Sequence, residues 1–274
     1  LRPEARVRVE AFLSQVASAS QALLMLAYDG TLAPLRAVRS EAAPYPGVVE
    51  HLRAIAACDH TRIVIVTGRE ASDVLSFLDV PRLEICGEYG LQRRFPDGRM
   101  TAVRPRPGSS EALVTAEHWL RYQHLHHLAE FKTGSIAVHW RGFPKMEIDK
   151  IRGQLALGWD SIARSAGLEL FEFDGGLEVC VPEADKSRMV RILLGEMPPD
   201  SPAAYLADDS PDERAFRFLS SRGLTALVRP SRRRTAAQVW LRPPGDLLQF
   251  LRMWAEACGA PNPSEADCME MKSR

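Results

Sequence analysis

The 274-residue chain is 46% hydrophobic and balances 35 basic against 35 acidic side chains, for a formal charge of zero. That length and apolar content suffice to bury a full core as one large domain or two, and the balanced charge removes any electrostatic case for nucleic acid or an anionic membrane as partner. No apolar run reaches the roughly 20 residues of a membrane helix, and five scattered cysteines without a Cys-x-x-Cys pair argue against a disulfide framework or zinc centre, so a reducing, cytoplasmic setting is expected.

The chain opens on Leu1 without a signal-peptide core, which leaves a piece of a longer protein among the readings. Val7, Val9, Phe12, Leu13 and Val16 recur near helical spacing over 4–17 and predict a packed helix. Residues 23–26, Leu-Leu-Met-Leu, have the continuous apolar pattern of a strand buried on both faces. The turn after them, Ala27-Tyr28-Asp29-Gly30-Thr31, stands where open α/β sheets place their ligands. A proline-containing loop to Pro46 leads to a helix with Val48, Val49, Leu52 and Ile55 on one face. Ile63-Val64-Ile65-Val66 is a second buried strand, stopping at Thr67-Gly68-Arg69. Ser72 is expected to cap a helix offering Val74, Leu75 and Leu78 to the core, and residues 83–86 form a short strand ending at Gly87-Glu88-Tyr89-Gly90. Strands alternating with helices predict a parallel sheet with right-handed crossovers.

The rhythm breaks at Arg104-Pro105-Arg106-Pro107-Gly108, a stiff stretch suited to a domain boundary and hinge. A helix over 110–130 (Leu113, Val114, Trp119, Leu120) and another over 147–165 accompany strands at 135–140 and 168–173. Asp174-Gly175-Gly176 is a hairpin turn into a strand at 177–181. These pieces make a small α+β unit. The expected division is a core from 1–105 and 183–258, an α+β cap over 106–182, and a frayed tail over 259–274. The return runs through Pro182-Glu183-Ala184-Asp185-Lys186 into a helix marked by Met189, Ile192 and Leu193. A strand at 203–206 then ends at Asp208-Asp209-Ser210-Pro211-Asp212, and a strand at 224–228 and a helix at 246–257 complete the core. Arg232-Arg233-Arg234 reads as a solvated loop. His118, His124, His126 and His127 read as the solvated face of the 110–130 helix, since no acidic or cysteine partner stands near to make a metal site.

Hydrolysis of a phosphate monoester by carboxylate attack needs a nucleophile, an acid/base, a cation and hydrogen-bond donors for the phosphoryl oxygens. At the predicted strand ends Asp29 suits the acid/base, Thr67 a donor to phosphate, and Lys186 the neutralising charge. Asp208 or Asp209 suits Mg²⁺, and Asp212 either supports the metal or orients Lys186. Each alone has a plainer reading, a surface lysine or an acidic turn that caps a helix. It is the ordered series, each member following a strand, that makes the set.

The segments Tyr28-Asp29-Gly30-Thr31-Leu32-Ala33-Pro34, Val66-Thr67-Gly68-Arg69 and Tyr205-Leu206-Ala207-Asp208-Asp209-Ser210-Pro211-Asp212-Glu213 resemble those of trehalose-6-phosphate phosphatases, a branch of the haloacid dehalogenase superfamily, and the likeness spans nearly the whole chain. The resemblance implies a Rossmann-like parallel-sheet core of the haloacid dehalogenase type with an inserted α+β cap. It also implies a Mg²⁺-dependent reaction in which an aspartate of the first motif is phosphorylated and water then releases phosphate. The metal ligands it implies are that aspartate, the backbone carbonyl of Asp29 and the carboxylate best matched by Asp208, with Asp209 and Asp212 beside it. Gly30, Thr31, Gly68 and Arg69 fall in the phosphate-binding motifs. Glu130-Phe131-Lys132 resembles the family's sugar-touching Glu-x-Lys, and His139 and Arg141 its His-Tyr-Arg segment.

Departures from the pattern are as informative. Ala27 stands at the nucleophile position and has no oxygen to attack phosphorus or bind metal, a loss on the order of a millionfold in turnover where that group attacks. Gly176 stands where the family carries a sugar-contacting lysine. Glu178, which shares a strand face with Cys180, is the candidate to replace the family's sugar-binding glutamate, with a solvent-facing strand residue as its equal rival. Tyr89-Gly90-Leu91-Gln92 replaces His-Gly-x-Glu, and Lys186-Ser187 replaces Lys-Gly. The leading reading is a phosphatase for a small-molecule sugar phosphate, trehalose 6-phosphate first, when position 27 is aspartate, with Ala27 either introduced or a natural loss. Its rivals are an inactive homologue that senses a sugar phosphate or docks on a sugar-phosphate synthase, and a phosphatase for another phosphorylated glycoside.

Overall fold

Side-chain alternation along the strands organises a larger sheet with two different faces. A computed structural model describes residues 1–260, so most of the expected tail, Cys268 included, lies outside the described residues. The first half runs α1 (Pro3–Ser18), β1 (Ala22–Leu26), α2 (Val48–Ala56), β2 (Thr61–Val66), α3 (Ala71–Leu75), β3 (Glu84–Gly87), β4 (Gln92–Arg94) and β5 (Met100–Ala102). There follow α4 (Pro107–Tyr122), β6 (Ala129–Phe131), β7 (Ser135–His139), α5 (Lys145–Ala166), β8 (Glu169–Phe173) and β9 (Gly176–Cys180). The chain closes with α6 (Lys186–Gly195), β10 (Ala203–Ala207), α7 (Glu213–Leu219), β11 (Leu224–Val228), β12 (Val239–Leu241) and α8 (Gly245–Ala257).

The larger sheet has the order β12-β11-β10-β1-β2-β3-β4-β5, parallel from β12 to β3 and antiparallel through β4 and β5. In β1, Leu24 and Leu26 face a core built with α1, α2, α3 and α8, whereas Leu23 and Met25, followed by Ala27, face a second core built with α6 and α7. Ile63 and Ile65 against Val64 and Val66 divide β2 the same way. Burial on both faces explains the continuous apolar runs. From β1 the chain moves to one side, through β2 and β3, and from β10 to the other, through β11 and β12. The carboxyl ends of β1 and β10 therefore flank a topological switch point.

Residues 107–180 supply a separate antiparallel sheet, β6-β7-β9-β8, whose one face is covered by α4 and α5 through Leu113, Leu120, Ile136, Val138, Leu155, Trp159 and Val179. The fold is thus mixed α/β, a parallel-sheet core with an α+β insertion.

Several expectations are corrected. The helix expected over 110–130 stops at Tyr122, where His124 turns the chain with φ 58°, and Glu130 lies on β6. His124, His126 and His127 accordingly share no helix face: His126 packs on Phe131 and lies 3.5 Å from the Glu117 carboxylate. Val7 and Val114 point to solvent rather than into a core. Ser72 lies inside α3, whose N-cap is Glu70, and its hydroxyl donates to Glu70 instead of capping. Within the basic loop Arg233 is half-buried and bound to Glu213, leaving Arg232 and Arg234 exposed.

The β4–β5 extension was not anticipated, because three-residue strands are too short to carry a periodic signature. Charge secures β4. Buried Glu84 on β3 accepts Arg62 Nε at 2.9 Å and Arg93 Nε at 2.6 Å, and both arginines also bind Glu196 beyond α6. The Arg93 and Arg62 guanidiniums hold the Glu196 carboxyl down at about 2.

Candidate active site

The ends of β1, β2 and β10 and the uncovered face of the smaller sheet enclose a cavity of about 450 Å³. Its floor carries Ala27, Asp29, Thr67, Gly68, Lys186, Asp208 and Asp209; its roof carries Glu130, Lys132, His139, Arg141 and Glu178. Twelve of the sixteen residues singled out from sequence thus line one space. Gly30, Thr31, Arg69 and Asp212 do not line it.

On the floor, Ala27 closes β1 with its N–H on the Leu206 carbonyl and presents only a methyl. Asp29 is clamped by Arg69 in a two-pronged ion pair, Nε to Oδ2 at 2.7 Å and Nη2 to Oδ1 at 2.6 Å, so both carboxylate oxygens are engaged. Thr67 Oγ1 accepts the Arg69 N–H at 3.1 Å, which orients the hydroxyl oxygen at the end of β2. Lys186, at the start of α6, donates to Asp212 Oδ1 at 2.8 Å. Burial opposes its charge, but Asp212 outweighs burial and raises the Lys186 pKa. Asp212 also takes the Tyr205 hydroxyl and the Asp209 N–H. Of the two roles open to Asp212 in the sequence, the geometry matches the orienting of Lys186.

Asp208 is different. Burial, then Asp209 and Asp212, push its carboxyl well above the usual range, and among the described residues no hydrogen-bond donor reaches that carboxylate. Gly30, with φ 69°, lets it approach: a Cβ there would lie 2.0 Å from Asp208 Oδ2. A crowded carboxylate without donors fits a hard cation. Asp209 instead spends its oxygens on the N–H groups of Ser210 and of Asp174 from the smaller sheet. Among the described residues there is no group of three acidic, histidine or cysteine side chains arranged to hold a metal. With a methyl at 27, Asp208 is the carboxylate at the end of these strands left without a donor among the described residues. The Thr31 hydroxyl is buried and finds no partner among the described residues.

On the roof, Glu178 is buried, which excludes the solvent-facing reading. It accepts Lys132 Nζ at 2.9 Å and the hydroxyls of Ser135 and Tyr89; burial pushes its carboxyl up, but Lys132 and the hydroxyls outweigh this and hold it below the usual range. Tyr89, which sequence reasoning noted only as a departure, lays its ring against Gly68, where a Cβ would come within 2.5 Å of it. Its backbone is left-handed, φ 56°. Arg39, Phe173 and Asp174 line the cavity and were not singled out beforehand. Arg39 pairs with Glu130, whose other oxygen meets His139 Nε2 at 3.0 Å. Burial, Lys132 and Arg39 push His139 down to about 4, so the ring is neutral at pH 7. An arginine in a polar loop carries no periodic signal; the cue available was the density of arginine over 36–39.

The family model described as trehalose-phosphatase matches residues 25–240. The chain belongs to the trehalose-phosphatase family. A trehalose-phosphate phosphatase of Mycobacterium ulcerans is 27% identical over 236 residues, 81% of this chain, and the chain spans 58% of that relative's length. The trehalose-6-phosphate phosphatase C-terminal domain of Candida albicans superposes with a TM-score of 0.78 at 17% identity, covering 90% of this chain and 96% of that domain. A haloacid dehalogenase-like hydrolase of Bacteroides thetaiotaomicron superposes with a TM-score of 0.61 at 14% identity, covering 84% and 98%. These two likenesses establish the fold, the parallel-sheet core of the haloacid dehalogenase type. Among the described residues no helix is long and apolar enough to cross a membrane.

Proposed function

We propose that this chain binds a phosphorylated sugar in the cavity between its sheets and, with alanine at position 27, holds it without hydrolysing it. The observation that carries this reading is the methyl of Ala27 on an otherwise polar floor, with Lys186, Thr67 and Asp208 around a position that offers no nucleophile. Lys186, held in its charged form by Asp212, neutralises the phosphoryl group; Thr67 and main-chain N–H groups supply hydrogen bonds. Asp208 is the carboxylate that would hold Mg²⁺, whose chemistry is to neutralise phosphoryl charge. An aspartate at 27 would add the attacking oxygen and a further donor. Asp29 would serve as acid/base, for which it must release Arg69. The α+β insertion, residues 106–182, serves as a cap on a core formed by 1–105 and 183–258. Cap closure excludes water and selects the sugar.

The family and the name of the Mycobacterium ulcerans relative make trehalose 6-phosphate the first substrate to test. Phosphate release with Mg²⁺ should stay at background for the chain as it stands and rise at least a thousandfold in Ala27→Asp, with loss on chelation of the metal. Silence of both proteins across a panel of sugar phosphates would overturn the catalytic half of the reading. A sensor or partner of a sugar-phosphate synthase would then stand, the reading favoured by the engagement of both Asp29 oxygens with Arg69.

A further inference from the structure

The smaller sheet's register sets His139 on β7, Gly176 on β9 and Phe173 on β8 in one cross-strand row. Gly176, in the middle, has no side chain, and the Phe173 ring fills the space: a Cβ at Gly176 would lie 2.0 Å from Phe173 Cζ. The His139 and Phe173 rings meet across the glycine edge to face at 5.4 Å, and both line the cavity. Phe143 and Leu128, also from the insertion, and Leu35 from the loop after β1 add further apolar lining.

The carboxylates and Arg141 on this roof already have partners, several of them from the loop after β1 and the turn at Tyr89. Glu178 has its three donors, Glu130 lies between Arg39 and His139, and Arg141 donates to the carbonyls of Asp174 and Arg36. A second sugar would bring several hydroxyls to groups that must first surrender these partners, and a hydroxyl buried without a partner loses affinity. An apolar ring makes no such demand and stacks on an aromatic face.

We propose that the phosphate monoester accepted here is a sugar 6-phosphate whose other end carries an apolar ring, an aryl glycoside phosphate in chemical class, with that ring seated on Phe173. The proposal rests on the sugar-phosphate reading above and names the substrate class of the same site.

Calorimetric titration of the chain as it stands, in the presence of Mg²⁺, with glucose 6-phosphate, trehalose 6-phosphate and both anomers of phenyl glucoside 6-phosphate tests it. Expected is about tenfold tighter binding of one phenyl glycoside than of the other two sugars. That increment should be lost in Phe173→Ala and reduced in Phe173→Leu, while glucose 6-phosphate binds all three proteins alike and circular dichroism verifies their folding. Trehalose 6-phosphate binding as tightly as the phenyl glycoside, or an increment that survives Phe173→Ala, overturns the proposal and leaves the sugar-phosphate reading intact. No binding of any of the sugars overturns both.

Discussion

The Asp208 carboxylate owes its place to a residue without a side chain. Gly30 has φ 69° and lies so close that any Cβ would collide with Asp208 Oδ2 at 2.0 Å, whereas Gly142, with φ 88°, has open space where its Cβ would go. Alanine at either position pays for a left-handed backbone, about 1–3 kcal/mol, but only at Gly30 must a buried carboxylate also move. Gly30→Ala should therefore lower the melting temperature more than Gly142→Ala and, in the Ala27→Asp background, reduce phosphate release. Equal melting temperatures for the two variants would contradict the close approach. This glycine was legible as part of an Asp-Gly-Thr turn. Its service to a carboxylate 178 positions later was not, because the contact exists only once β1 and β10 are neighbours.

Elements with a strong period were legible, and those without were not. The β-branched and leucine runs of β1, β2 and β11 and the amphipathic α2 and α8 lie within two residues of where apolar spacing puts them. The chain after α4 was misjudged because continuing apolar residues hid a turn at His124 and a three-residue strand. β4 is held by ion pairs from Arg93 to Glu84 and Glu196 rather than by an apolar face, and β5 joins it through the backbone ladder. Their anchor has a pH signature. Glu196 titrates at about 2 when folded, below its ordinary 4.5, so its contribution is present above pH 4.5 and is lost as pH falls through about 2. Melting temperature followed from pH 6 to pH 3 should fall more steeply for the unaltered chain than for Glu196→Gln. Parallel curves would show that the network does not anchor this edge.

At the scale of the whole molecule, the two sheets are joined by polar contacts around the cavity and by a small apolar contact, Leu91 and Tyr89 packing into the core of the insertion. Asp174, at the hairpin tip, accepts Arg229 Nη2 at 2.7 Å and gives its N–H to Asp209 at 2.7 Å. Arg106 and Glu183, in the two connecting segments, pair at 3.0 Å. Polar contacts of this kind open at low free-energy cost. Asp174→Ala should speed amide hydrogen exchange severalfold at residues 173–176 while β1 and β2 stay protected. Unchanged exchange at the hairpin would show that Asp174 does not hold the sheets together.

Periodicity and turn chemistry alone determined the parallel core, the inserted α+β unit, the strand ends that carry Asp29, Thr67 and Asp208 and the helix start that carries Lys186, since burial on two faces and tight turns leave local marks in a chain. That position 27 carries only a methyl was equally plain, being a matter of residue identity. Only the tertiary structure decided that Arg69 occupies Asp29, that Asp212 belongs to Lys186, and that Glu178 is buried among three donors. Each of these depends on side chains from distant segments meeting in a low-dielectric space, where a charge takes whatever partner the fold brings within reach.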